Sequence, residues 1–495
     1  MKSSSPIRAL CQRLAETEVG PLVFVLAAPI VAAGRGIAER FAFPRETPFR
    51  LPFLNYLLCY LLLQLSMMAV LAAVTRSRFT RHGAAVSAGL LLGWLPPIID
   101  WLLLLAGYRQ PDAWYLYPGE WTWHFFAGYQ KLGESITVWL TVSLVALYAG
   151  VLKKRVLPGL LAAVGVWLVF QLVGFWLPEL AREAARRDWL VYSHAIDWVY
   201  LWAGVAIWWI ARRRQVGRSL GRFVSALPFA ALAALGARLV GGHPGAAAFA
   251  AGIVALTGFL ALVENDWLDR ESDSAGGHRP RPVGAEDFAL ALVFHGLLLW
   301  RLGIQDPGSV VFIALFIFVW LAYSAPGIRL KRFPIVPYLC EGVAAATCLL
   351  FGVHYGGGGV AASGEAFPYA VAAFFGFAVA SPVKDVKDYL VDRAAGIPTV
   401  FVLAGADPAL RLGRARLLAA LSLFAMLLVP AAVLWTSTGG EAWISCSVLL
   451  LLALAAGGSV AVIGRPATAV FVGLLFVSLH LFAAAVIAPE LITAG

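Results

Sequence analysis

The chain has 495 residues, 61% of them hydrophobic and only 13% charged, about half the ~25% charge of soluble domains, and its mean hydropathy is +0.80. That composition excludes a disordered chain and a water-soluble globule, and its long apolar blocks exclude a membrane barrel of short alternating strands. The net charge of +10, from 38 Lys and Arg against 28 Asp and Glu, would form a stripe on a polar domain in a nucleic-acid binder; no polar domain exists, so no nucleic-acid partner is expected and the surplus reads as cytoplasmic loop charge.

Apolar runs long enough to cross a ~30 Å hydrocarbon core recur from end to end. They predict an all-α, polytopic membrane protein embedded in a lipid bilayer. Six runs come first, at about 19–35, 51–75, 83–107, 135–152, 157–178 and 190–211. They define an N-terminal membrane domain of five or six helices over residues 1–211. The first run is not read as a cleavable signal, because Glu16 and Glu18 precede it and no small-residue cleavage site follows. Around the loop after it, Arg35, Arg40, Arg45 and Arg50 would face outward, so either the first segment does not span or this loop is an exception to the positive-inside rule. Asp100, after Pro96-Pro97, and His194 with Asp197 at i, i+3 are functional candidates because ionisable groups inside membranes usually are; the competing reading is a structural bond across a kinked helix. The aromatic loop from Trp114 to Tyr129 fits the outer interface.

Residues 212–222 are the most basic stretch and form the expected cytoplasmic linker. Nine further runs follow, at about 223–241, 246–264, 287–303, 309–324, 335–353, 367–383, 413–436, 442–463 and 467–488. With the linker inside, the loops at 265–286, 325–334, 384–412 and 464–466 are cytoplasmic and hold nearly all the Lys and Arg of this second group. The five cysteines (Cys11, Cys59, Cys340, Cys348, Cys446) lack metal spacing and a disulfide framework.

Of 13 Asp, six fall in two windows: Asp266, Asp269 and Asp273 after Asn265, and Asp385, Asp388 and Asp392 after Lys384. Both repeat i, i+3, i+7, one face of an α-helix over two turns, and both close an apolar run at its cytoplasmic end. An Asp at the bilayer centre costs roughly 2.5–3.5 kcal/mol, so six are sustainable only at helix ends that face a wet cavity holding cations. Hard oxygen ligands suit Mg²⁺, which binds one or two carboxylates and completes its shell with water and phosphate. Arg270, Arg279, Arg329, Lys331, Lys384, Lys387 and Arg393 interleave with the acids. Acid alone suggests cation passage; acid mixed with Arg and Lys suggests a metal-bridged anion.

These residues resemble the UbiA-type intramembrane prenyltransferases. The family's N-D-x-x-D-x-x-x-D is met by Asn265, Asp266, Asp269 and Asp273, its R-P-x-P-x-G loop by Arg279 to Gly284, and its Y-S-x-P-x-x-R-L-K loop by Tyr323 to Lys331. Its second acidic signature is met by Lys384, Asp385, Asp388, Asp392, Gly396 and Thr399. The likeness covers about residues 220–495, giving an expected nine-helix domain over 223–495, and leaves 1–211 unassigned. It departs at His278 and Val283, where the family often has Asn and Ser.

The resemblance implies Mg²⁺-dependent transfer of an isoprenyl chain from a prenyl diphosphate to a hydrophobic acceptor. Asn265, Asp266, Asp269 and Asp273 would hold one Mg²⁺, and Asp385, Asp388 and Asp392 the other. Lys331, Arg329, Arg270, Arg279, Lys384, Lys387 and Asn265 would bind the diphosphate; Asp269, Asp388, Lys331 and Tyr323 are the expected catalytic residues. Glu341 is a candidate for orienting the acceptor, while His295 and His354 read as core or loop residues. The rival reading is a transporter coupled to divalent cations or protons through the acidic helices, which would carry ionisable groups near midplane on broken helices. The Arg-rich, Lys-poor composition points to a prokaryotic plasma (inner) membrane, with the site loops on the cytoplasmic side.

Overall fold

The computed structural model describes residues 6–17, 21–42, 53–108, 132–185, 192–211, 216–270, 283–358, 366–386, 389–394 and 396–407, plus a few isolated positions. All the regular structure among them is helical. Eight described helical segments are long and apolar enough to cross a membrane. The chain divides into two compact units, Met1–Val216 and Gly217–Gly495. The expected spans at 413–436, 442–463 and 467–488 lie, isolated positions apart, outside the described residues.

The first unit contains α1 (Pro6–Glu16), α2 (Pro21–Ala42), α3 (Phe53–Thr75), α4 (Gly83–Leu90), α5 (Leu95–Leu105), α6 (Leu132–Lys153), α7 (Val156–Gln171), α8 (Leu177–Ala185) and α9 (Tyr192–Ala211). Apolar on all sides, α3 is its central helix and packs against α2, α7 and α9. Several of its polar side chains bond within the unit, while Gln64 Oε1 and Ser66 Oγ are buried without a hydrogen-bond partner among the described residues. Gln64 donates to the Phe24 carbonyl (3.1 Å) and to Ser87 Oγ (3.1 Å). His82 Nε2 meets Thr75 (2.9 Å) and Ser77 (2.7 Å), and its Nδ1 meets Tyr148 Oη (3.2 Å). By contrast, α7 exposes Leu157, Leu160, Leu161, Val164 and Leu168, a stripe suited to lipid.

One expectation is corrected here, and one open alternative takes its structural form. The first apolar run does not give way to a loop at residue 36; α2 continues to Ala42 and carries Arg35 and Arg40. The reason is local chemistry. Arg35 and Glu39 sit one turn apart (Nε–Oε1 2.5 Å), Arg35 Nη1 donates to the Gly93 carbonyl (3.0 Å), and Tyr56 donates to Glu39. Asp100, for its part, takes a structural role, since its Oδ1 accepts the Gly133 amide at 2.8 Å, one of the N-terminal amides that α6 leaves unsatisfied.

The second unit contains α10 (Val216–Leu239), α11 (Pro244–Leu268), α12 (Ala285–Gln305), α13 (Pro307–Ser324), α14 (Val336–Val353), α15 (Phe367–Ala380), α16 (Tyr389–Ala394) and α17 (Val400–Leu403). Consecutive helices pack as neighbours from α11 to α15, with α11 also against α13 and α14. Alanines on α10 and α11 form a small-residue core (Ala230, Ala234, Ala237, Ala247, Ala251, Ala255). A Cβ at Gly236 would come within 2.1 Å of the Leu349 carbonyl, and one at Gly352 within 2.0 Å of the Ala233 carbonyl. Such close backbone approach is how helices associate where lipid removes the hydrophobic drive.

Candidate active site

The first acidic window forms as the spacing predicts, up to its third member. Asn265 and Asp266 lie in the last turn of α11, and Asp269 caps it, its amide bonded to the Asn265 carbonyl at 2.9 Å. Asp273 and Arg279 lie outside the described residues. Asp266 and Asp269 are buried, yet they stand at a helix end rather than in mid-span.

Around Asp269 a cluster closes from three chain segments. Asn265 Nδ2 donates to Asp269 Oδ2 (3.1 Å), and the Ser324 hydroxyl lies 2.5 Å from Asn265 Oδ1 and 3.1 Å from Asp269 Oδ2. Lys331 Nζ donates to Asp269 Oδ1 at 2.5 Å. Ser324 ends α13, and the loop after it reverses through Gly327 (φ +92°) and Arg329 (φ +44°). Glycine takes a positive φ without strain; Arg does so at a cost. That turn brings Lys331 back onto the end of α11. The Arg270 guanidinium lies 3.9 Å from the Trp267 ring centroid, a cation–π contact.

The second window departs from expectation. It is not one α-helical face over two turns: α15 stops at Ala380, residues 381–386 form a 3₁₀ turn, and α16 begins at Tyr389. Proline at 382 lacks an amide donor and interrupts the helix there. Asp385 and Asp392 therefore sit on different elements. Lys384 lies on the 3₁₀ turn, and Lys387 and Asp388 are outside the described residues. Asp385 is buried and accepts the Tyr338 hydroxyl at 2.8 Å, and that oxygen accepts the Val400 amide at 2.9 Å.

Tyr323 links the two windows: it lies within electrostatic range of Asp269 from the first and of Asp385 and Asp392 from the second. Rings continue from it into the bundle, through Trp320 (5.8 Å between centroids), Phe316 (6.2 Å) and Phe229 (5.6 Å from Phe316) to Phe377 (5.2 Å from Phe229). Sequence reasoning missed Tyr338, for which no motif spacing gave a signal, and left Ser324 without a role although it stands next to Tyr323. His295 is a core residue, its Nδ1 2.8 Å from Glu264.

The donors fit a hard divalent cation. They are carboxylate, amide and hydroxyl oxygens, and Asp269 already holds an ammonium at 2.5 Å. Among the described residues no three His, Cys, Asp or Glu side chains close on one point. Mg²⁺ does not need three, since it keeps several waters and takes phosphate oxygens beside one or two carboxylates.

Residues 225–469 match the UbiA prenyltransferase family. The lycopene elongase/hydratase of Corynebacterium glutamicum is 31% identical over 195 residues, which are 36% of this chain and 61% of that protein; the chain thus spans about three-fifths of the length of this curated relative. A solved UbiA homolog from Archaeoglobus fulgidus, bound to DMAPP and Mg²⁺, aligns with 55% of this chain and 99% of its own at 18% identity and a TM-score of 0.39. The same homolog bound to GPP and Mg²⁺ gives the same values. Residues 225–469 are thus a region similar to the UbiA prenyltransferase family.

Proposed function

We propose that the second unit transfers an isoprenyl chain from a prenyl diphosphate to a hydrophobic acceptor within the membrane, releasing pyrophosphate. The observation that carries this reading is the approach of both acidic windows to Tyr323, with Lys331 bonded to Asp269 at the helix end. In such a transfer the allylic C–O bond breaks, a bond from that carbon to the acceptor forms, and the acceptor loses a proton.

The residues divide the work by charge. Lys331 and Arg329 meet the diphosphate oxygens, Lys331 as a mobile point charge and Arg329 as a planar fork. Asn265, Asp266 and Asp269 on one side, and Asp385 and Asp392 on the other, would hold Mg²⁺. Bound there, the metal neutralises charge that builds on the leaving diphosphate. Asp273, Asp388, Arg279, Lys384 and Lys387 belong to the same set by their motif positions. Ser324 and Asn265 fix the Asp269 carboxylate, while Tyr338 fixes that of Asp385, so both are oriented before substrate arrives. The rings from Tyr323 to Phe377 offer π faces to an allylic cation and keep water from it. The curated relative is a lycopene elongase/hydratase, which favours a polyene-like acceptor here. The site loops are assigned to the cytoplasmic side of a plasma membrane by the positive-inside rule.

Purified full-length protein in detergent, given Mg²⁺, a prenyl diphosphate and lycopene, should release pyrophosphate and add one prenyl mass to the acceptor. EDTA should stop both. Intact diphosphate under these conditions, with Mg²⁺ uptake into protein-containing liposomes instead, would establish the transporter reading.

A further inference from the structure

Two helices of the first unit end in the same unusual way. At the end of α3 the Ser77 amide donates to the Ala72 carbonyl (3.1 Å) and the Arg76 amide to that of Ala73 (3.3 Å). At the end of α6 the Arg155 amide donates to the Gly150 carbonyl (3.1 Å) and the Lys154 amide to that of Val151 (3.3 Å). Paired bonds of this kind close a helix on a left-handed residue, most often glycine. Here that residue is Arg76 (φ +50°) and Lys154 (φ +54°), and a side chain holds the conformation under strain. A cation at a helix C-terminus offsets the macrodipole, but a neighbouring cation beside a glycine would do so without the strain.

One buried residue joins the two ends. His82, in the 3₁₀ turn Phe79–His82, bonds to Thr75 and Ser77 on the α3 side and to Tyr148 of α6. Arg81 and Lys153 both lie within electrostatic range of it. Arg76, Arg78 and Arg81 are thereby gathered beside Lys153, Lys154 and Arg155, and all six are exposed. No Asp or Glu occurs in residues 47–99 or 135–178, and among the described residues none of the six cations forms a salt bridge. Like charges held together by folding repel one another, so an anion that bridges them is favoured. The neighbouring surface selects the anion. Val156 and Leu157, next to Arg155, are 76% and 64% exposed and open the apolar stripe of α7. A soluble phosphate would use the charge alone. A phospholipid uses both, its chains on the stripe and its phosphate among the cations, and clustered Lys and Arg at the end of a spanning helix favour the anionic kind.

From this geometry we infer that the joined ends of α3 and α6 are a binding surface for an anionic phospholipid headgroup, with Arg76 and Lys154 as its fixed cations and the acyl chains along α7. The inference is independent of prenyl transfer by the second unit.

Three probes separate charge from chains: phosphatidylglycerol, phosphatidylcholine with the same acyl groups, and glycerol 3-phosphate. Each is titrated into the full-length protein in a neutral detergent, and bound molecules are counted by native mass spectrometry. Phosphatidylglycerol should bind at least about fivefold more tightly than phosphatidylcholine, the factor for one cation near a headgroup, and the preference should shrink as salt is raised. Glycerol 3-phosphate should not displace it. The double variant Arg76→Gly, Lys154→Gly should lose at least about fivefold in affinity for phosphatidylglycerol. Its unfolding temperature should hold or rise, because glycine takes a positive φ without strain. If that variant does not fold, Arg78→Gln with Arg155→Gln removes two of the cations and leaves both left-handed positions untouched. Equal affinity for the two lipids in the wild type would overturn the inference. So would a preference that survives in a folded variant, which would leave the cations a capping role only. Glycerol 3-phosphate binding as tightly as phosphatidylglycerol would replace the lipid surface with a soluble-phosphate site.

Discussion

Buried charge around Arg35 in the first unit and around Asp269 in the second is held in opposite ways, although the second unit also seals Glu264 and His295 between its helices. In the first, Arg35 and Glu39 lie within a helix, bonded to each other, to Tyr56 and to a backbone carbonyl, and Asp100 binds the start of a neighbouring helix. In the second, Asp269, Lys331 and Asp385 stand at helix ends and on the loops between them. Charge sealed within a helix has its partners chosen by folding and serves mainly stability and specificity. Where the helix ends, buried carboxylates are gathered beside loops, and an incoming cation or phosphate can exchange with the partners they hold. The same residue types therefore carry different functions according to where the helix stops.

The strongest way to break this contrast is to remove a charge of each kind. Asp269→Ala should reduce pyrophosphate release by about 10⁴-fold or more, ~5 kcal/mol of lost transition-state stabilisation, while expression and thermal stability stay near wild type. Asp388→Ala should do the same from the second window. Activity within tenfold of wild type in either variant would remove the metal-binding assignment.

Arg35→Met should show the opposite pattern. It leaves Glu39 buried without its guanidinium, a change that costs about 3–5 kcal/mol, read as a lower unfolding temperature in detergent. Turnover per folded molecule should stay unchanged. Adding Glu39→Gln should recover most of the stability, because removing both charges is far less costly than stranding one. A double variant as unstable as the single would show that the pair contributes by shape rather than by charge.

Much of this was legible in the sequence because hydrophobic length and acidic spacing are local properties. The spans at 244–268, 285–305 and 307–324 lie within a few residues of their expected limits, and Asn265, Asp269 and Lys331 come together as their motifs suggest. Two things were hidden for physical reasons. Beyond Glu39, one turn away, Arg35 meets Gly93 and Glu134, and Asp385 meets Tyr338, all from distant parts of the chain, so no local pattern announces how far Arg35 is sealed or that Tyr338 holds Asp385. The break after Ala380 follows from Pro382, which sequence reasoning left unused because the regular i, i+3, i+7 repeat reads as one helical face.

Tyr338→Phe sharpens the comparison at the intermediate level. The variant keeps the ring but loses the hydroxyl between Asp385 and the Val400 amide. Partners that orient a ligating group typically govern 10–100-fold in metal affinity, so the Mg²⁺ concentration for half-maximal turnover should rise by about tenfold. Turnover at saturating Mg²⁺ should change little, which separates a positioning role from contact with substrate.

The smallest expected effect tests packing without charge. At Gly352 an added Cβ would come within 2.0 Å of the Ala233 carbonyl and 2.8 Å of its carbon, both backbone atoms that cannot rotate aside. Gly352→Ala must therefore push α10 and α14 apart, at about 1–3 kcal/mol by the measure of overpacked cores. Gly89→Ala is the control: no atom lies within 4 Å of its Cβ position, and alanine is favoured over glycine in a helix by up to ~1 kcal/mol. Unfolding temperature should fall for the first and hold or rise for the second. If both variants leave it unchanged, the close approach of α10 and α14 contributes nothing to stability, and the second unit must be held together mainly by the larger side chains around Phe229 and Phe316.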